Sequence, residues 1–202
     1  MANQLFERIK DGCQKKKVVG LCNKLSKKFS FKSGADCENL CHLAYWLYVY
    51  GEKDLAIECV ALTRDVPFDV NYNVWTFIHS MWGLEMRLLR EAGKEAEGLK
   101  IAETMNMHLL TPPKKLPSTP EEMLVREMKR RSRPTFEEAI RKEEVEMHME
   151  ENSPSTANEW RFVALLEMIG DAETGFYPQL NEHKSQIEVK IAEYISELAK
   201  VK

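Results

Sequence analysis

The chain has 202 residues, 44% of them hydrophobic and 30% charged, with a formal net charge of −3. This is enough apolar material for a substantial core, which argues against disorder over most of the length and against any global attraction to nucleic acid or anionic lipid. The charge is unevenly placed: residues 1–36 carry nine basic and three acidic side chains, and residues 143–202 carry five basic and thirteen acidic ones. The plain reading of that asymmetry is solubility, or attraction between the two segments.

Five cysteines, Cys13, Cys22, Cys37, Cys41 and Cys59, lie among apolar residues. Their odd number, in a chain large enough to need no staples, predicts free buried thiols and a reducing compartment. No apolar stretch of signal-peptide length follows Met1, and no stretch is long enough to span a bilayer, so the expectation is a cytoplasmic protein.

In chain order, Leu5 and Ile9 form a short apolar stripe ending near Gly12. Val18, Leu21, Cys22, Leu25 and Phe29 recur at helical spacing and predict a second helix over about 14–29. Its opposite face carries Lys15, Lys16, Lys17, Lys24, Lys27 and Lys28 without interleaved aromatic residues, so a solvated face is preferred over a phosphate-binding one. Ser33 with Asp36 reads as a helix start ahead of LCHLAYWLYVYG (Leu40 to Gly51), a stretch apolar enough to be the central helix of the fold. Gly51-Glu52-Lys53 breaks it. The returning helix, DLAIECVALTRDV, turns Leu55, Ala56, Cys59, Val60 and Leu62 inward.

After a Pro67-Phe68-Asp69 turn, a long helix capped near Asn71 or Asn73 runs to Gly93 and buries Trp75, Ile78, Trp82 and Met86. Gly83 inside it suggests close approach to another backbone. EAEGLKIAETM then returns. The four prolines of Leu109–Pro120 predict an extended connector, with a PxxP-type docking site as a minor reading. Beyond it Thr119-Pro120-Glu121-Glu122 opens a basic helix containing Arg126, Lys129, Arg130, Arg131 and Arg133, and Thr135 with Glu138 opens a charged one to about Glu150. That pair is expected to be exposed and mobile, or ordered by a partner. NEWRFVALLEMIG restores helical periodicity, Phe176 and Tyr177 anchor a turn, and a last helix over about 182–200 buries Ile187, Ile191, Tyr194, Ile195 and Leu198. The organisation expected is one helical domain over 1–202, with an N-terminal half (1–108), a connector (109–119) and a C-terminal half (120–202).

Leu40, Leu43, Ala44 and Leu47, then Gly51, then Ala56 resemble a tetratricopeptide unit, and the offset from Ala44 to Gly83 exceeds its roughly 34-residue period. The fold class is therefore all-α, built of irregular tetratricopeptide-like antiparallel helical hairpins. The resemblance implies that Cys41, Tyr45 and Tyr48 form a separate stripe facing a groove that holds partner proteins. Three stretches, LAYWLYVYGEKDLAIECVALT, NVWTFIHSMWGLEMRLLREAG and NEWRFVALLEMIGDAETGFYP, resemble a bacterial family of helical proteins classed as a domain of unknown function. Small helical proteins of that kind often prove to be immunity proteins that block a toxin, a class-level analogy.

No catalytic, cofactor-binding or metal-binding residues are assigned. Cys37, Cys41 and His42 offer three donors on or beside one helical face, short of the four a structural zinc site takes. His79 reads as a hydrogen-bonded core residue. Glycine-flanked nucleophile turns and phosphate-binding glycine loops are absent. The expectation is a non-enzymatic protein-binding module, foremost a bacterial immunity protein, with partner-binding residues Tyr45, Tyr48 and Arg87. The alternatives are a helical-repeat adaptor for peptide segments and a nucleic-acid binder acting through the basic 126–133 helix. Homo-oligomerisation is left open, because Met-rich and aromatic helices also seal dimers.

Overall fold

The computed structural model describes residues 2–68, 71–110 and 184–200. Among these the chain is all-α, with seven helices and no strand: α1 (Ala2–Gly12), α2 (Lys16–Leu25), α3 (Gly34–Val49), α4 (Lys53–Ala61), α5 (Tyr72–Glu91), α6 (Glu95–Leu110) and α7 (Lys184–Leu198). The chain divides into two compact units, Met1–Gly98 (with Lys202) and Leu99–Val201, with the boundary inside α6. No described helix is long and apolar enough to cross a membrane.

The first unit is built around α3, against which α2, α4 and α5 all pack. Every residue from Leu43 to Val49 is buried, so α3 keeps no solvent face over its second half. A helix that is apolar all round belongs inside a fold, and its own sequence said so. Ser33 caps its start: the Asp36 N–H donates to Ser33 Oγ at 3.2 Å, and Asp36 Oδ2 accepts from the Ser30 N–H at 3.1 Å. At its end Gly51 adopts φ 82°, which lets the Gly51 N–H reach the Tyr48 carbonyl at 3.0 Å and the Glu52 N–H reach the Leu47 carbonyl at 2.9 Å. This pair of bonds satisfies carbonyls that the helix leaves open. Helix α5 ends the same way: Gly93 (φ 72°) bonds to Arg90 at 3.0 Å, and Lys94 to Leu89 at 2.8 Å.

Several boundaries differ from the sequence expectation, among them α4, which ends at Ala61 and not at Val66. Helix α2 stops at Leu25 because Phe29 leaves the helical path and sets its ring edge-on to Phe6 and Phe31, at 5.5 and 4.7 Å between centroids. Helix α6 continues to Leu110, so the first two residues assigned to the proline-rich connector are helical.

Gly83 also departs from expectation. A Cβ there would meet nothing within 4 Å, whereas one on Gly98 would lie 3.7 Å from the Met86 backbone. The small residue at the close approach is Gly98, near the start of α6.

In the second unit, Ala102 and Met105 of α6 and Ile187, Ile191 and Leu198 of α7 are buried, while Leu99, Met107 and Val189 are exposed. The rest of the connector, the basic helix at 121–133, its charged successor, the NEWRFVALLEMIG helix and the Phe176-Tyr177 turn lie outside the described residues.

Candidate functional site

Of the three residues expected to line a partner-binding groove, the fold brings two together and sends the third elsewhere. Tyr45, Tyr48 and Arg87 are only 2, 5 and 8% exposed. The expected outward stripe of Cys41, Tyr45 and Tyr48 is thus internal, because α3 is enclosed by α2, α4 and α5. Tyr45 donates its hydroxyl to the Ser80 carbonyl on α5 at 3.1 Å and joins the two helices. Tyr48 sits in a polar seam between α3, α4 and α5. Its hydroxyl accepts from Arg87 Nε at 2.7 Å and donates to Glu91 Oε1 at 2.5 Å, and Glu91 Oε2 accepts from Lys53 Nζ at 2.7 Å.

The electrostatics of this seam follow from its burial. Burial, followed by the hydrogen bond to Glu91, pushes the Tyr48 hydroxyl up to about 12. For Glu91 burial acts upward as well, but the hydrogen bonds from Lys53 and Tyr48 outweigh it and hold the carboxyl below its ordinary range. Lys53 and Arg87 also lie over the Tyr48 ring, at 5.9 and 5.8 Å from its centroid. Lys15 lies over Tyr50 at 5.2 Å and Lys17 over Trp46 at 5.5 Å, and those two rings are themselves stacked. Four cations therefore gather around the carboxyl end of α3, where the helix dipole is negative.

The cysteines and His79 belong to the core. All five thiols are free and buried. Burial pushes Cys22 up to about 11, Cys37 up to about 12 and Cys59 higher still, so these three lack thiolate character at neutral pH. His79 stands among Phe68, Trp75 and Trp82, with ring centroids 5.4 to 6.3 Å away. Among the described residues no three His, Cys, Asp or Glu side chains are grouped as a bound metal ion would require.

One surface feature was not anticipated. Gln4, Leu5 and Arg8 of α1 and Glu58, Ala61, Leu62 and Asp65 of and after α4 line an open cleft of about 480 Å³. Leu5, Ala61 and Leu62 give it an apolar floor, and Arg8 pairs with Glu58 across its rim. The available signal was the i, i+4 pair Gln4 and Arg8 flanking Leu5, but nothing local in the sequence shows that α4 lies opposite.

A family model described as a family of unknown function (DUF6707) matches residues 2–200. The chain belongs to this family. The match covers nearly the whole chain and bears out the likeness to a helical family of unknown function. No curated protein and no solved structure matches the DUF6707 chain significantly.

Proposed function

We propose that this DUF6707 chain is a non-catalytic protein-binding module, and specifically a bacterial immunity protein that binds and neutralises a cognate toxin in the cytoplasm. The observation that carries the reading is the α1–α4 cleft. An apolar floor of Leu5, Ala61 and Leu62 inside a polar rim of Gln4, Arg8, Glu58 and Asp65 has the make-up of a protein interface, with a desolvated centre and a hydrated edge. The Tyr45–Ser80 bond and the Tyr48–Arg87–Glu91 seam support it from within, by fixing α3 against α5 and, through Lys53, against α4. In this reading α3–α4 and α5–α6 serve as tetratricopeptide-like hairpins. Five free, buried thiols accord with a reducing compartment.

The test is co-expression with the protein encoded beside it, reading both growth rescue and copurification. Ala61→Arg with Asp65→Lys, which crowds the cleft without emptying the core, is expected to weaken partner binding by roughly tenfold or more and to lose rescue. A variant that still rescues fully overturns the cleft assignment. A single tight partner supports immunity, whereas several weak peptide ligands support the adaptor reading, in which the same cleft holds an extended or helical segment of a host protein.

A further inference from the structure

The α1–α4 cleft runs between two helices of opposite direction. A Cβ on Gly12 would lie 3.9 Å from Leu55 Cδ1, which sets the end of α1 beside the start of α4, and Arg8 pairs with Glu58 further along. Gln4, Arg8 and Asp11 fall at i, i+4 and i+7 on α1, and Asp54, Glu58 and Ala61 do the same on α4. Asp11 and Asp54 therefore extend the two walls at one end, and Asp65 lines the cleft at the other. All three aspartates are exposed. Among the described residues none of their carboxylates makes a hydrogen bond or ion pair, because the cation preceding each is held elsewhere: Lys10 by Glu7, Lys53 by Glu91 and Arg64 by Glu85. Asp11 acts on Lys10 only through space. The Arg8–Glu58 pair neutralises itself, so the cleft keeps three uncompensated negative charges. Helix stability accounts for Asp54, in the first turn of α4, but not for Asp11, which stands in the last turn of α1 where the dipole disfavours a carboxylate.

We infer that the α1–α4 cleft docks a basic, partly apolar segment of the partner protein, its Lys or Arg side chains facing Asp11, Asp54 and Asp65 and its apolar side chains seated on Leu5, Ala61 and Leu62. The inference rests on the protein-binding reading above and names the chemistry of that partner's contact surface. Charge complementarity selects the occupant: a row of carboxylates repels nucleic acid and acidic peptides alike and favours a cationic chain. The apolar floor between the carboxylates suits side chains that gain by leaving water, which a small inorganic cation lacks. Spacing agrees. Asp54 and Asp65 lie roughly 15 Å apart along α4 and its last turn at about 1.5 Å per residue, a span of about three turns of a partner helix and too wide for one ion.

The experiment uses the full chain and a fluorescent amphipathic peptide of Leu and Lys, with a Leu and Glu peptide of the same pattern for comparison. Binding is read by anisotropy at about 0.15 M salt, where contacts beyond a Debye length of about 8 Å are screened. The parent chain should bind the Leu–Lys peptide and not the Leu–Glu one. Asp11→Asn, Asp54→Asn and Asp65→Asn together should weaken binding at least about tenfold, while a charge-matched control, Glu38→Gln with Glu95→Gln and Glu103→Gln, should change it little. Circular dichroism melts check the fold of both triple variants, and the single exposed change Asp65→Asn, expected to weaken binding about threefold, serves if the first does not fold. Equal loss in variant and control, equal binding of the two peptides, no measurable binding by the parent chain, spermine bound as tightly as the peptide, or self-association of the chain that the three Asn changes abolish would each overturn the inference. A copurifying protein partner that is lost from Ala61→Arg but held undiminished by the three-Asn variant would refute the basic occupant while leaving the cleft reading intact.

Discussion

Tyr48 ties the stability of the first unit to pH at the level of a single hydroxyl. Its pKa rises from 10.0 to about 12 in the fold, so the folded state prefers the protonated phenol. That contribution is complete below about pH 10 and is lost as pH climbs through about 12. Glu91 works in the opposite sense: its carboxyl lies below the ordinary 4.5, so its contribution is present at neutral pH and is lost on acidification through the lowered value. Urea midpoints between pH 9 and 12 should fall less steeply for Tyr48→Phe than for the parent chain, with the thiols supplying the remaining slope, since burial raises Cys22, Cys37 and Cys59 from 9.0 as well. Thr63 is a second such point. Fully buried, it donates to the Val60 carbonyl at 2.6 Å and accepts from Trp82 Nε1 at 2.9 Å, so Thr63→Val should cost about 1–3 kcal/mol in denaturant unfolding by removing the indole's acceptor.

At the scale of the element, the glycines separate into two kinds with opposite predicted effects. Gly51 and Gly93 hold positive φ at the ends of α3 and α5, where a Cβ is strained, so Gly51→Ala should destabilise by about 1–2 kcal/mol. Gly83 is interior to α5 with open space beside it, and Gly83→Ala should instead stabilise by up to about 1 kcal/mol through helix propensity. Chemical denaturation of the two variants separates these signs directly. The caps at Ser33 and Asn71 were legible because capping is local: each side-chain oxygen bonds an N–H three residues on, at 3.2 and 3.4 Å. The end of α2 was not, because Phe29 answers to Phe6 and Phe31, and the partner on α1 lies more than twenty residues away in sequence.

Across the whole first unit, α3 is the element on which the others depend, and its enclosure accounts for the silence of the thiols. Cys37 and Cys41 of α3 and Cys59 of α4 are fully buried, as is Cys22 of α2. Thiol labelling of the native chain at neutral pH should therefore be slow and limited by unfolding, becoming rapid only in denaturant. Fast stoichiometric labelling of the native chain would contradict the packing around α3. Leu43→Ala or Leu47→Ala, each emptying a fully buried site in that helix, should cost about 2–5 kcal/mol.

Hydrophobic periodicity, capping residues and terminal glycines determined by themselves that the chain is helical, where α1 ends, where α3 begins and ends, and that Trp75, Ile78, Trp82 and Met86 are buried. Each of these signals is carried within a few turns of one helix, so no knowledge of a neighbour is needed. The tertiary structure alone decided which apolar faces were enclosed. It turned Tyr45 and Tyr48 from an expected groove lining into two separate internal links between α3 and α5, and it moved the close backbone approach from Gly83 to Gly98. It also formed a cleft from Leu5 on α1 and Ala61 on α4. Burial and concavity depend on which helices become neighbours, and that is set by packing among residues distant in sequence.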